Sequence, residues 1–243
     1  MKFIVLGSSS GLADKGKNLS SFYVHSNNKH ILIDTGEGIA HQVQAEHLDH
    51  DVLDAVFISH FHPDHVTGFF MLIQVLFIQG RKKKLQVFLP EKVDEFAQML
   101  EFFYTFRKKI GFAIDFHHLS ETEKYYPFIK VQKNDHLRSY RKFLQENNCN
   151  NGMVAYSFRI TENDKSIVFT SDINTVTSIL DLLNGCDYCI ADAFHPTIKE
   201  LKLLAEHTKE KTILTHGSTP ETDILVKEND KYIYAEENKV FSI

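Results

Sequence analysis

The sequence predicts a mixed α/β fold in which sheets are layered between helices. Three features of the 243-residue chain point there: strand patterns joined by tight turns open it, strand-then-helix alternation follows, and the second half repeats that succession. Residues 2–6 form a short apolar strand that runs into the turn-rich Gly7-Ser8-Ser9-Ser10-Gly11. Residues 21–25 and 30–34 read as strands on either side of an Asn27-Asn28 turn, so the chain opens as a β-meander. Residues 38–47 have helical spacing, 55–59 are a β-branched and aromatic strand, and 68–79 read as a largely buried helix.

Next come a strand at 85–89, an amphipathic helix at 93–106 and strands at 112–118 and 128–131. Residues 138–151 read as an inserted, charged loop. A hairpin follows, 153–161 against 166–170 across Glu162-Asn163-Asp164-Lys165. The remainder alternates: helix 175–183, strand 187–191, helix 198–207, strand 212–215. No repeat, low-complexity segment or Pro/Gly-rich linker interrupts the chain, so residues 1–243 are expected to be a single domain.

Composition narrows the function classes. With 43% hydrophobic and 24% charged residues, neither a disordered nor a fibrous chain is indicated. The longest apolar run, 68–78, is broken by Gln74 and is too short to cross a bilayer, and residues 1–6 lack the apolar region of a signal peptide. Three cysteines, Cys149, Cys186 and Cys189, cannot close a disulfide framework. These observations lead to the expectation of a cytoplasmic protein without a membrane partner. A net charge of −5 argues against a protein that coats nucleic acid, and the basic runs 81–84 and 107–109 read as solvated surface. The unusual number is 14 histidines, which directs attention to where they lie.

Ser59-His60-Phe61-His62-Pro63-Asp64-His65 begins where the strand 55–59 ends and places four ligating side chains in six positions. Imidazole nitrogen and carboxylate oxygen are donors expected for zinc or a similar divalent ion, and a loop lets residues this close point inward together. His60 and His62 can share one ion, while Asp64 and His65 turn toward a neighbouring one.

His60-x-His62-x-Asp64-His65 resembles the motif of the metallo-β-lactamase superfamily, and the likeness extends along the chain. Ile31-Leu32-Ile33-Asp34-Thr35-Gly36 resembles the family's first motif, whose Asp supports the metal loop. Ser171-Asp172 resembles the strand-end motif whose Asp bridges both metals, and Thr215-His216-Gly217 resembles the final histidine motif. The resemblance implies an αββα metallo-β-lactamase sandwich and two divalent metal ions, zinc first, with manganese or iron suited by the same donors. It implies the ligands His60, His62, Asp64, His65, His136, Asp172 and His216. His136 is the choice for the family's third motif because it follows the strand 128–131 in the expected order; His117 and His118 compete for that role. Each residue also has a plainer reading: Asp34 as a turn cap, Asp172 as a helix cap, His216 as a buried histidine before Gly217.

The catalytic expectations are Asp64, orienting water and metal, and His195, which reads equally as a proton donor or a turn residue. Two metals about 3.5 to 4 Å apart would share a bridging hydroxide, its parent water lowered to a pKa of about 7. The segments 7–11 and 64–70 are similar to the ribonuclease Z-like branch, which includes small-molecule phosphodiesterases. The chain departs from a tRNA 3′-endonuclease in lacking a basic Gly/Pro-rich insertion and in having Ala191 before Asp192. The expected substrate is therefore a small cyclic or nucleotide-like phosphodiester, with RNA the lesser alternative. Rival functions are a lactone or thioester hydrolase and a metal-binding protein without turnover. A homodimer is compatible with the apolar Phe69-Phe70-Met71-Leu72. Cys186 and Cys189, three apart on a strand, read as core packing, and the aromatic group Phe96, Phe102, Phe103, Tyr104 and Phe106 reads as core first and as the wall of a substrate groove second.

Overall fold

The computed structural model describes residues 1–46 and 48–243, so the expected end of the first helix at His47 lies outside the described residues. Two compact units are present: Met1–Glu121 with Glu236–Ile243, and Thr122–Ala235.

The first unit opens with the antiparallel strands β1 (Lys2–Gly7), β2 (Ser21–Ser26) and β3 (Lys29–Ile33). Helix α1 (Ile39–Ala45) leads to β4 (Ala55–Phe57), and the short α2 (Pro63–Val66) and longer α3 (Gly68–Ile78) lead to β5 (Leu85–Leu89). Helix α4 (Val93–Phe102) then returns the chain to β6 (Ile114–His118). β3 to β6 pair in parallel, which requires such crossovers, and the C-terminal strand Val240–Ser242 adds antiparallel to β1.

Alternate residues of this sheet, among them Leu6, Leu32, Val56, Ile58 and Val87, pack with Phe69, Leu72, Ile73 and Leu76 of α3 in one core. The intervening residues Val5, Ile31, Ile33, Phe57 and Phe88 are buried as well. Burial of both sets is why these strands read as continuous apolar runs rather than alternating ones.

The second unit begins with α5 (Thr122–Tyr125) and β7 (Ile129–Lys133). A 3-10 turn His136–Tyr140 and α6 (Arg141–Asn147) precede the hairpin of β8 (Tyr156–Glu162) and β9 (Lys165–Phe169). The chain continues through a 3-10 turn Val176–Ile179, α7 (Leu180–Leu183), β10 (Tyr188–Asp192), α8 (Ile198–Glu206), β11 (Thr212–Thr215), α9 (Pro220–Glu228) and β12 (Tyr232–Tyr234). β7 to β9 are antiparallel and β9 to β12 parallel, so this sheet repeats the meander-then-crossover order of the first. Its core gathers Val168, Leu183, Leu201, Leu204 and Leu214 with Cys186 and Cys189, which places both cysteines in the packing role expected of them.

Four expectations change. Residues 138–151 are not simply a loop: Arg141, Lys142, Leu144, Gln145 and Glu146 are good helix formers, and they build α6, which buries none of its residues. The helix expected over 93–106 stops at Phe102, and Tyr104 takes a left-handed φ of 59°. Phe96 is core, but Phe102 (78%), Phe103, Tyr104 (83%) and Phe106 are exposed, because the helix ends before they can turn inward. Arg81 is the opposite case. Read as solvated surface, it is fully buried, and its guanidinium donates to the carbonyls of His50, Leu53 and Lys84. Among the described residues, no helix is long and apolar enough to cross a membrane.

Candidate metal centre

In the first unit the segment that carries His60, His62, Asp64 and His65 leaves β4 and passes into α2. His62 stands at the N-cap and Pro63 in the first turn, where its fixed φ and missing N–H do no harm. Asp64 and His65 thus ride on a helical turn rather than the open loop expected from sequence. The rings of His60 and His62 lie 4.7 Å apart and those of His60 and His65 4.2 Å apart, with His60 and His65 fully buried. His65 Nε2 is 3.7 Å from Asp64 Oδ2.

Asp34 braces this segment. Its carboxylate accepts from the Ser59 amide at 2.7 Å, the Ser59 hydroxyl at 2.8 Å and His65 Nδ1 at 2.8 Å. A carboxylate can only accept, so His65 carries its proton on Nδ1 and keeps its lone pair on Nε2. Ser59, having given its proton to Asp34, accepts from His60 Nδ1 at 3.0 Å, which sets the same tautomer on His60. Backbone bonds complete the brace: the Thr35 amide donates to the His65 carbonyl and the Gly68 amide to the Thr35 carbonyl. Gly36 has no room for a side chain, since a Cβ there would stand 2.4 Å from the Asp64 carbonyl oxygen.

In the second unit four residues from four strand ends converge. One oxygen of Asp172, Oδ2, lies 3.3 Å from His216 Nε2, 3.5 Å from His136 Nε2 and 3.9 Å from His195 Nδ1. Asp172, His136 and His216 are buried and His195 is exposed. The rings of His136 and His195 are 4.7 Å apart, and those of His195 and His216 are 5.3 Å apart. Sharp exits from the strands bring this about: Ser171 and His216 adopt left-handed φ values of 50° and 66°, as Asp34 does after β3 at 58°. Such conformations are uncommon outside glycine and turn the chain abruptly.

Two supporting acids had no role in the sequence reading beyond their place in the chain. Asp192 accepts from His195 Nδ1 at 2.8 Å and from the Phe194 and His195 amides, fixing the His195 ring as Asp34 fixes His65. Asp135 ties the turn before His136 to the segment after Asp172 by accepting from the Asn174 amide and from the amide and hydroxyl of Thr175. Burial alone would raise the Asp135 carboxyl, but the hydrogen bonds from Thr175 and Asn174 outweigh it and hold it below the usual carboxylate range. In the sequence Asp192 stood out only as the acidic residue preceded by Ala191, three residues before His195 across a strand end. His118 is committed elsewhere: its Nδ1 meets the Ser120 hydroxyl and its Nε2 the Pro90 carbonyl, both at 2.8 Å. His117 stacks beside Phe88.

The donors present suit a divalent first-row ion. In the second unit, Asp172, His195 and His216 each offer one ligand atom, all within 4.8 Å of one another. In the first, two histidines present lone-pair nitrogens fixed by the partners behind them.

Comparison with known proteins follows the same lines. The family model described as "Anti-Pycsar protein Apyc1" matches residues 1–241. A ribonuclease Z of Methanosarcina mazei is 33% identical over 101 residues, which is 42% of this chain and 33% of that protein. The chain spans between 33% and 54% of the length of the first curated relatives it matches. Among solved structures, the metallo-β-lactamase fold protein YhfI from Bacillus subtilis superposes with a TM-score of 0.76 at 20% identity, covering 99% of this chain and 98% of that one. The short form of human tRNase Z superposes with a TM-score of 0.75 at 18% identity, covering 100% and 99%. The fold is therefore that of the metallo-β-lactamases.

Proposed function

The chain belongs to the Apyc1 anti-Pycsar family, in the ribonuclease Z-like branch of the metallo-β-lactamase superfamily, and from that premise we propose that it is a dinuclear metal-dependent phosphodiesterase. Its substrate is a small cyclic or nucleotide-like phosphodiester. The ligands are His60, His62, Asp64, His65, His136, Asp172 and His216, and the ions are zinc, with manganese or iron accepted by the same donors. The two compact units act as one functional domain, a reading supported by a family match that runs through both. The observation that carries the proposal is Asp172, whose Oδ2 lies within 3.5 Å of both His136 Nε2 and His216 Nε2, so that these three donors would together hold divalent metal.

The ions, when bound, supply charge against the phosphodiester oxygens and lower the pKa of water to about 7. The remaining work belongs to side chains. Asp64 orients the attacking water, and Asp34, by holding His65 and Ser59, keeps that segment from reorganising during the reaction. His195 gives a proton to the leaving oxygen; Asp192 fixes its ring through Nδ1 and so presents Nε2 for that transfer.

A second reading, cleavage of tRNA precursors at the 3′ side, is favoured by the curated relatives named ribonuclease Z. Against it stands the absence of a basic Gly/Pro-rich insertion in the sequence. The test is elemental analysis together with hydrolysis of bis(p-nitrophenyl) phosphate and of a tRNA precursor, on the wild type and on His62→Ala. About two equivalents of metal and a phosphodiesterase activity lost in the variant are expected. Preferential cleavage of the precursor would move the assignment to the second reading. Failure to retain metal after reconstitution would remove the mechanism altogether.

A further inference from the structure

The loop that leaves β1 departs at Ser8 and returns at Asn18, and residues 11–17 between them are exposed. Its tip comes back onto the candidate metal centre of the same unit. A Cβ built on Gly11 would stand 3.5 Å from Asp64 Oδ2, 3.6 Å from Cγ and 3.9 Å from Oδ1. A methyl group there would already be in van der Waals contact with the carboxylate, which leaves no room for anything larger. Oδ2 is also the oxygen that lies 3.7 Å from His65 Nε2. The loop tip and the lone-pair nitrogen of His65 therefore address the same atom.

What fixes the loop comes from the far end of the chain. Glu237 Oε1 accepts from the Ser8 amide at 2.9 Å, the Ser8 hydroxyl at 3.0 Å and the Asn18 amide at 3.1 Å, and Oε2 accepts from the Asn18 side-chain amide at 2.9 Å. One carboxylate thus ties together the residue where the loop departs and the residue where it returns. Bonds to a carboxylate are stronger than neutral ones, and four of them converge on this neck. Glu237 is itself held in place, because the Asn238 amide donates to the Val5 carbonyl and the strand Val240–Ser242 pairs with β1. On the opposite side, Gly38 makes room for the Asn18 carboxamide only because it has no Cβ.

We propose that Glu237 is a positioning residue for Asp64: by clamping the neck of the 8–18 loop it seats Gly11 against the carboxylate and holds that carboxylate in its metal- and water-facing orientation. The inference rests on the role given to Asp64 under the proposed function. Glu237 acts through the loop alone, so its removal should disturb Asp64 without removing any metal donor. Outer partners of metal ligands typically change affinity or activity by about 10- to 100-fold when lost.

The experiment measures zinc affinity by competition with a chelator, together with hydrolysis of bis(p-nitrophenyl) phosphate by the zinc-loaded protein. The proteins are the wild type, Glu237→Ala, Glu237→Gln, Gly11→Val, the combined Gly11→Val/Glu237→Ala and the control Glu236→Gln, whose exposed carboxylate meets Lys239. Glu237→Ala should weaken zinc binding about tenfold and lower kcat about as much, with KM changed by about twofold or less. Glu237→Gln, which keeps an oxygen for Ser8, should stay within about threefold of wild type, and the control should match it. Gly11→Val should lose about tenfold by itself but only about twofold more on top of Glu237→Ala, since a released loop yields to the added bulk. Zinc affinity unchanged in Glu237→Ala, a Gly11→Val protein equal to wild type, or losses that simply multiply in the combined variant overturns the clamp. Should the zinc-loaded wild type hydrolyse no phosphodiester, the phosphodiesterase reading fails while the affinity comparison still decides the clamp. A wild type that binds no zinc removes both.

Discussion

The two histidine- and aspartate-rich regions solve one problem by different routes. In the first unit, four donors occupy six consecutive positions, and their precision comes from behind: Asp34 takes three hydrogen bonds and lies, with His65 and Ser59, fully out of solvent. In the second, His136, Asp172, His195 and His216 come from four separate strand ends, and their precision comes from the sheet that aligns those ends. Each region nevertheless uses the same device once, an aspartate 2.8 Å from a histidine Nδ1, Asp34 on His65 and Asp192 on His195. The difference is burial. The first pair is enclosed and the second stands at an exposed histidine, so the same geometry should be structural in one place and catalytic in the other.

That contrast can be broken by substitution. The largest effect is expected for Asp34→Ala, which removes the acceptor for three buried donors; urea denaturation should show a loss of about 3 kcal/mol or more, and metal affinity should fall roughly 10- to 100-fold. Retention of full stability and metal content would mean that the brace is incidental. Asp192→Asn should be milder in stability, about 1 kcal/mol, yet lower kcat by about tenfold and shift the alkaline limb of the pH–rate profile, because it alters the ring that delivers the proton. A variant equal to wild type in both would return His195 to the role of a turn residue.

The smallest effect concerns pH. Burial raises the Asp187 carboxyl, but the hydrogen bond from the Ser166 amide and the Lys165 ammonium push further the other way, so it lies below the ordinary range. A depressed carboxyl stabilises the fold fully above its unfolded pKa of about 4 and loses that contribution as pH falls through the folded value. Asp187→Asn should therefore melt below wild type at pH 7, with the gap closing in acid as pH falls through the folded value. A gap that persists in acid would assign the difference to packing instead of charge.

How much was legible follows from the same contrast. The segment 59–65 could be read directly, because four donors in six positions are rare by chance and need no knowledge of the fold. His136 was legible only by its order after a strand, and its neighbourhood was misread: the charged stretch after it looked like a loop, although its residues favour a helix that needs no core. Arg81 was read as surface because a buried guanidinium is exceptional, and only the three carbonyls around it make burial tolerable. The exposed aromatics at 102–106 were taken for core because hydrophobic side chains carry no mark of the helix ending beneath them.

The sequence by itself therefore determined the succession of strands and helices, the motif order and the donor types, all of which are local or one-dimensional properties. Tertiary structure alone decided that Asp192 and Asp135 support the second set of donors, and that left-handed residues at Asp34, Ser171 and His216 turn the chain out of its strands. It also decided that Lys133, Arg138 and Arg141 line one cavity. The physical reason is that hydrogen bonds and electrostatic fields depend on distance in space, and across 136 to 216 that distance is set by sheet pairing rather than by spacing along the chain.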